Sequence, residues 1–444
     1  MLRRIYEDAA YAAGALDGCY WTQTAPAPAC PSLHGTASTE FAVIGAGDTG
    51  LSAALALAEA GADVALLDLH APGWGASGRN GGFVCLGGAW LGRSGLVRRY
   101  GEAGLAAYRM AERRAIEAVA ALIENHGMAV DRHSDGEVVL LHKKGAIKVL
   151  EKAAREIRHD HGIAARVLAP EELVVEGLSG PRFHGGLHVE LGFAVNPRKL
   201  VLGLAEAAGR AGARLYANSP VQRITHENGR HVLETPGGRL SARNVILATN
   251  GYSAENLPGW MRARYLPVQS SVLVTRPLGA DEIAEQGWFS ELMAYDTRSL
   301  LHYFRLLPER RFLFGMRGGI GWTPATHARI RRQMRADFEA MFPAWKSIET
   351  PFFWSGLVNL NRSLIPFAGP IAGDNTFFAA FGYHGNGIAH GIWAGAQVAR
   401  LAMGQPAPDL PDFYRQPPPR FELGAYRRAA LRGAYPLLTV LDRL

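Results

Sequence analysis

The stretch FAVIGAGDTGLSAALALAEAGADVALLDLH, Phe41 to His70, reads as an apolar strand, a glycine turn, an alanine-rich helix and a second apolar strand. Gly45 permits a tight turn there, Gly47 lets the backbone approach a pyrophosphate, and Gly50 lets the helix pack on the strand. The N-terminus of such a helix presents unpaired N–H groups and the positive end of its dipole to phosphate. Asp68 closes the second strand at the distance from which a carboxylate accepts from ribose hydroxyls. The unit is a dinucleotide site, a design that NAD(P) and FAD share.

Working outward, GWGASGRNGGFV (Gly73 to Val84) follows the second strand at once and supplies five glycines with Ser77, Arg79, Asn80 and Gly81. A nicotinamide domain continues with another strand and helix at this point. A polar glycine-rich loop instead suits close backbone and side-chain contacts to a flavin's pyrophosphate and ring edge. Helix-and-strand texture returns at NPRKLVLGLAEAAGRAGARLYANSPVQRI and again at TFFAAFGYHGNGIAHGIWAGAQVARLAMG. Segments of different character separate these visits. The expected fold is α/β: a discontinuous Rossmann-like nucleotide-binding domain interleaved with a mixed-sheet α+β substrate domain. Residues 36–88, 196–256 and 356–410 are assigned to the former, and 89–195 and 257–355 to the latter. Residues 1–35, rich in Ala and Pro, form an N-terminal arm, and 411–444 form a C-terminal tail.

The 444 residues exceed what one compact core usually holds, and 48% hydrophobic with 20% charged residues is an ordinary globular composition. The net charge of +7 comes from scattered arginines without a long basic run, so a nucleic-acid partner is not expected. Cys19, Cys30 and Cys85 show neither C-x-x-C nor metal-finger spacing, so no disulfide framework or metal site is expected. The N-terminus has no continuous apolar core of a signal peptide, and no stretch reaches membrane-spanning length. A cytoplasmic location is expected.

With these motifs in place, the chain resembles the FAD-dependent amine and amino-acid oxidases of the D-amino-acid oxidase superfamily, and especially their gamma-glutamylputrescine oxidase branch. The resemblance rests on VIGAGDTGLSAALALAEAG, GWGASGRNGG, VILATNGY, YDTRSLLHYFRLLPERRFLFG and WSGLVNLNRSLIPFAG followed by AAFGYHGNGI, in order along nearly the whole chain. It implies that Val221 contacts the adenine end and that the segment containing Thr249 closes over the cofactor. It also implies that Gly382, Gly385, Asn386, Gly387 and Ile388 lie beside the isoalloxazine. The residues agree, because a helix beginning near Ile388 aims its N-terminus at the ring half that gains negative charge on reduction. His390 stands where a second GxGxxG would need its third glycine, so NAD(P)H is not expected as a second substrate.

The chain departs from the family's Gly-Tyr-Ser-Gly-His-Gly, reading Gly-Tyr-His-Gly-Asn-Gly instead. His384 is thereby a candidate catalytic base or a positioning residue. Tyr303 and Arg305 alternate with apolar residues on a strand of the substrate domain, where an Arg would clamp a carboxylate. Relatives that oxidise free amino acids carry Arg after the GL of the later motif; here Val358 and Asn359 follow. The resemblance implies oxidation of the C–N bond of an amine or amino acid, with O2 as the acceptor. The alternatives are a dehydrogenase feeding a quinone or carrier, and a flavin-bearing binding protein without turnover. Family members tether FAD through a later Cys or a His in the early loop, and this chain has neither, so non-covalent FAD is expected. The basic, apolar-interleaved tail is assigned to the protein's own surface in preference to a membrane surface.

Overall fold

The computed structural model describes residues 2–371 and 373–443. The opening strand Gly35–Ile44 lies at the centre of an eight-stranded sheet. It pairs in parallel with Gly238–Leu247 on one side and Val64–Leu67 on the other. Arg214–Tyr216 extends the parallel run beyond Val64–Leu67, and Asp374–Phe381 extends it beyond Gly238–Leu247. Helices cover the sheet, so central strands such as Val64–Leu67 are buried on both faces and read as unbroken apolar runs. Asp48–Glu59, Pro197–Arg210 and Gly387–Ala402 pack through Leu51, Leu55, Leu200, Leu204, Ile392 and Val398.

A second eight-stranded sheet lies beside the first in the chain's architecture. Its order is Phe352–Leu360, Leu266–Val274, Phe312–Arg317, His302–Leu306, Met293–Asp296, Glu137–Leu140, Gly186–Val189 and Ala165–Leu168. All pairs are antiparallel except Met293–Asp296 with Glu137–Leu140. An aromatic core of Trp288, Phe304, Phe312, Phe338, Phe342 and Trp345 sits between this sheet and helix Pro324–Met341.

Two details differ from the expected segment boundaries. Strand Phe352–Leu360 belongs wholly to the second sheet, although 356–360 were assigned to the nucleotide side. Helix Arg93–Asn125, assigned to the substrate side, buries Leu105, Tyr108 and Ile116 in the core of the first. The second follows from packing demand, because helix Gly387–Ala402 is apolar nearly all round and needs a cover on its outer face; the first follows from the nine-residue pairing of that strand with Leu266–Val274.

Both chain ends are docked. Three short 3-10 turns from Asp8 to Gln23 bury Tyr11, Cys19, Tyr20 and Trp21. The tail forms helix Arg427–Arg443, in which Arg427 bonds Glu255 at 2.6 Å and Arg428 bonds Glu7 at 2.8 Å. Arg427, Arg428 and Arg432 are therefore tied to the protein itself. Among the described residues no helix is long and apolar enough to cross a membrane.

Candidate active site

One cavity runs from the opening glycine turn to the turn before helix Gly387–Ala402, along the seam between the two sheets. At its first end Gly45 holds a φ of 112°, and a Cβ there would stand 2.8 Å from the Ala248 carbonyl oxygen. Gly45 and Gly47 line the cavity, whereas Gly50 does not: a Cβ on Gly50 would overlap the Gly45 carbonyl, so its role is packing. The Asp68 carboxylate accepts from the N–H groups of Ala46 (2.6 Å) and His70 (2.8 Å), and burial raises its pKa to about 6. Val221 and Thr249 complete this end.

The loop Gly73–Val84 forms the next wall. Ser77 Oγ accepts from the Asp48 N–H at 2.9 Å, fixing the loop to the start of the first helix. Arg79 is 1% exposed and donates to the carbonyls of Trp74, Ala15 and Ser355, yet its Nη2 has no partner. Asn80 braces the loop internally, donating to the Ala76 and Ser77 carbonyls and accepting from the Gly82 N–H. Ser77, Arg79, Asn80 and Gly81 all line the cavity.

At the far end, Gly385, Asn386, Gly387 and Ile388 line the cavity and Gly382 does not; a Cβ on Gly382 would strike the Asn361 amide. His384 is 4% exposed and adopts a φ of 51°. Its Nδ1 donates to the Gly88 carbonyl at 2.9 Å while Nε2 accepts from the Asn361 N–H at 3.3 Å. Burial pushes its pKa down to about 4, so the ring is neutral with both nitrogens occupied. That is the geometry of a positioning residue, one of the two roles expected of His384, and it leaves neither ring nitrogen free to take a substrate proton. Asn386 donates to the Cys85 carbonyl at 2.6 Å and leaves Oδ1 without a partner; both amide atoms of Asn359, 1% exposed, are also unpartnered.

Unpartnered buried polar groups are costly. Arg79 Nη2, the Asn359 amide and Asn386 Oδ1 belong to residues that line one cavity. A cradle that side chains would fill, a helix N-terminus and these orphan donors and acceptors fit a flavin dinucleotide, whose pyrimidine edge alternates carbonyl and N–H groups.

Beside that turn lies a chamber walled by Tyr295, Leu301, Tyr303, Val358 and Arg317. The Tyr303 hydroxyl is 3.0 Å from Ser270 Oγ. Glu137 lies behind Cys85 and Tyr295, and burial lifts its carboxyl to about 8. Cys85 itself is held as a thiol by burial and by Glu137. Arg305, predicted to face the substrate, does not line the cavity. It is fully buried, donating to the carbonyls of Gly81 (2.9 Å) and Val195 (2.7 Å) and to His133 Nε2 (2.8 Å). Its guanidinium is consumed in holding the glycine loop against the second sheet. Sequence reading missed Tyr295, Asn359 and Arg317 as site residues. Tyr295 opens the YDTRSLLHYFRLLPERRFLFG motif and Arg317 follows just beyond it, but alternation on a strand does not say which end meets a cofactor.

A model of the family described as DAO, FAD dependent oxidoreductase, matches residues 40–401. The chain is 29% identical over 413 residues to a probable oxidoreductase OrdL of Rhizobium meliloti (strain 1021), covering 91% of this chain and 92% of that protein. It is 28% identical over 384 residues to the gamma-glutamylputrescine oxidoreductase of Escherichia coli (strain K12), covering 84% and 85%. Its fold superposes on the crystal structure of glycine oxidase from Geobacillus kaustophilus with a TM-score of 0.69 at 20% identity, over 83% of this chain and 96% of that one.

Proposed function

This chain belongs to the DAO family of FAD-dependent oxidoreductases, and from that premise we propose that it oxidises the C–N bond of an amine or amino acid, with O2 accepting the electrons. One observation carries the reading: the chamber beside the flavin turn holds neutral walls, a neutral His384 and the cation Arg317. Desolvation and a like charge both disfavour an ammonium ion there. The substrate therefore sits as free amine, the form whose nitrogen lone pair assists departure of hydride from the adjacent carbon.

When bound, FAD supplies the two-electron acceptor for that hydride. Loss of hydride leaves an iminium, which releases a proton or, for a secondary amine, adds water directly; hydrolysis then gives a carbonyl compound and ammonia or an amine. Tyr295, Tyr303 and Val358 confine the substrate and exclude bulk water, which orients the C–H bond. Arg79, Asn359 and Asn386 would hold the cofactor's polar edge, and His384 fixes the turn by tying Gly88 to Asn361. Cys85, kept as a thiol, is a poor nucleophile, which supports non-covalent FAD.

The test mixes the FAD-loaded protein anaerobically with a panel of amines and amino acids, following loss of flavin absorbance, and repeats the panel in air with peroxide detection. Bleaching with peroxide formation is expected. Bleaching without peroxide would transfer the reading to a dehydrogenase, and no bleaching by any panel member would overturn catalysis. Acid precipitation of the protein is expected to leave the yellow colour in the supernatant.

A further inference from the structure

The glycine cradle for the pyrophosphate contains an acid. Helix Asp48–Glu59 starts straight after Gly47, and its first residue, Asp48, lines the cavity beside Ser77. Asp48 is 5% exposed, its N–H donates to Ser77 Oγ at 2.9 Å, and its Oδ1 has no partner among the described residues. The groups around it leave it without a counter-ion. Arg79 of the glycine loop donates to the carbonyls of Trp74, Ala15 and Ser355, and Arg198 of helix Pro197–Arg210 donates to the Ala25 carbonyl at 2.6 Å. The Tyr383 hydroxyl, 3.0 Å from Thr49 Oγ1, is kept protonated by burial. His390 on helix Gly387–Ala402 is kept neutral, its pKa pushed down to about 3, as is His384. Burial lifts the Asp48 carboxyl to about 7, with the Ser77 hydroxyl offsetting part of the rise and no cation contributing.

A buried carboxylate without a cation is unfavourable even in the empty site. Two phosphate charges brought to the same glycine turn make it more so, by like-charge repulsion in a low-dielectric cleft. The protonated carboxyl escapes both effects and gains a hydrogen to donate, while phosphate oxygens only accept. We propose that Asp48 is a further cofactor-binding residue that holds FAD as a neutral carboxylic acid, so that the grip on FAD loosens when this carboxyl ionises. Asp48 acts on the cofactor alone, whichever bond the enzyme oxidises. Below about pH 7 the free site already carries the proton; above it, FAD binding must take a proton up from solvent. Affinity is therefore full on the acid side and is lost as pH rises. Asp68 titrates lower, at about 6, and its ionised form is the one that accepts from ribose hydroxyls, so it does not weaken binding as pH rises.

The experiment needs no substrate. The FAD-loaded protein is serially diluted at constant ionic strength from about pH 6.5 to about pH 8.5, and free-flavin fluorescence at equilibrium gives the dissociation constant. In the parent this constant should rise with pH, approaching about tenfold per unit. Asp48→Asn, an uncharged isostere, should match the parent near pH 6.5, hold FAD about tenfold more tightly near pH 8.5, and show no slope. Asp48→Ser, smaller and also uncharged, takes its place if the amide does not fold, and should be equally flat; circular dichroism reports the fold of both. A flat profile in the parent, or a slope that survives in either folded variant, would overturn the assignment. Loss of FAD at every pH by a folded Asp48→Asn protein would overturn it too, because the site would then need the anion.

Discussion

Arg305 and Arg317 lie on adjacent antiparallel strands of the second sheet, and their different surroundings decide what each does. Arg305 is 0% exposed, and its three donor groups meet the Gly81 carbonyl, the Val195 carbonyl and His133. His133 is kept neutral, its pKa pushed down to about 4 by burial and by this guanidinium, so it accepts. Replacing Arg305 by Met leaves two buried carbonyls unpaired, at roughly 1–3 kcal/mol each, partly offset by removal of a buried charge. A loss of about 2–4 kcal/mol in unfolding free energy is expected, together with faster FAD loss as the glycine loop loosens. Lysine should not rescue it, because a single ammonium cannot reach three acceptors in a fork. Denaturant titration and flavin release measure both effects; a variant as stable as the parent that lost only carboxylated substrates would return Arg305 to the substrate site. The sequence pattern did place Tyr303 and Arg305 on one face of a strand, as the structure has them. It did not reveal that Gly81 and Gly82 come up against that face after Tyr303, which puts Arg305 behind the loop and Tyr303 inside the chamber.

Among the elements, those legible from sequence are the ones whose partners are local. The strand, glycine turn and helix at 41–70 pack on one another, so motif spacing alone predicts their shape. Strands Glu137–Leu140 and Met293–Asp296 pair in parallel across more than one hundred and fifty residues, and nothing in either segment names the other. That non-local pairing is what brings Glu137, Tyr295 and Cys85 together under the chamber, which is why none of the three was legible as a group. It also creates a measurable pH effect. The Glu137 carboxyl ordinarily titrates near 4.5 and is lifted to about 8, chiefly by burial and also by Glu112 nearby. Between those values the folded protein holds a proton that the unfolded chain has released, so stability contributed below pH 4.5 is lost as pH rises toward 8. The maximum slope is about 1.4 kcal/mol per pH unit. Glu137→Gln mimics the protonated form and removes that slope. Unfolding free energies of parent and variant from pH 5 to 8 should therefore diverge in the variant's favour as pH rises; parallel curves would show that Glu137 is ionised in the folded protein.

At the scale of the whole molecule, both ends of the described chain pack against its body, although the family match spans residues 40–401. Composition alone marks residues 1–35 as an arm, without indicating that it docks. Its aromatic residues provide the reason: Trp21 is 2% exposed and donates to the Asn80 carbonyl at 2.9 Å, while the Ala15 carbonyl accepts from Arg79. Arg428 of the tail bonds Glu7 and the Ile5 carbonyl and lies 4.1 Å over the Tyr6 ring, holding the arm from the other side. Leu2 and Arg4 thereby line the same cavity as Val221, and the buried Nε of Arg4 has no protein partner. A donor held in that position is suited to a polar atom of the cofactor's adenosine half. Arg4→Ala is expected to raise the FAD dissociation constant about tenfold, the equivalent of about 1.4 kcal/mol, with little change in unfolding of the apoprotein. Beginning the chain at Ala25 removes Trp21 and the Ala15 carbonyl as well, and should speed FAD release further by freeing Arg79 and the glycine loop. Flavin fluorescence after dilution reads the release rate, and circular dichroism checks that both sheets persist. If the shortened, folded protein kept FAD as tightly as the parent, the arm would be a stabilising strap for the fold and no part of the cofactor site.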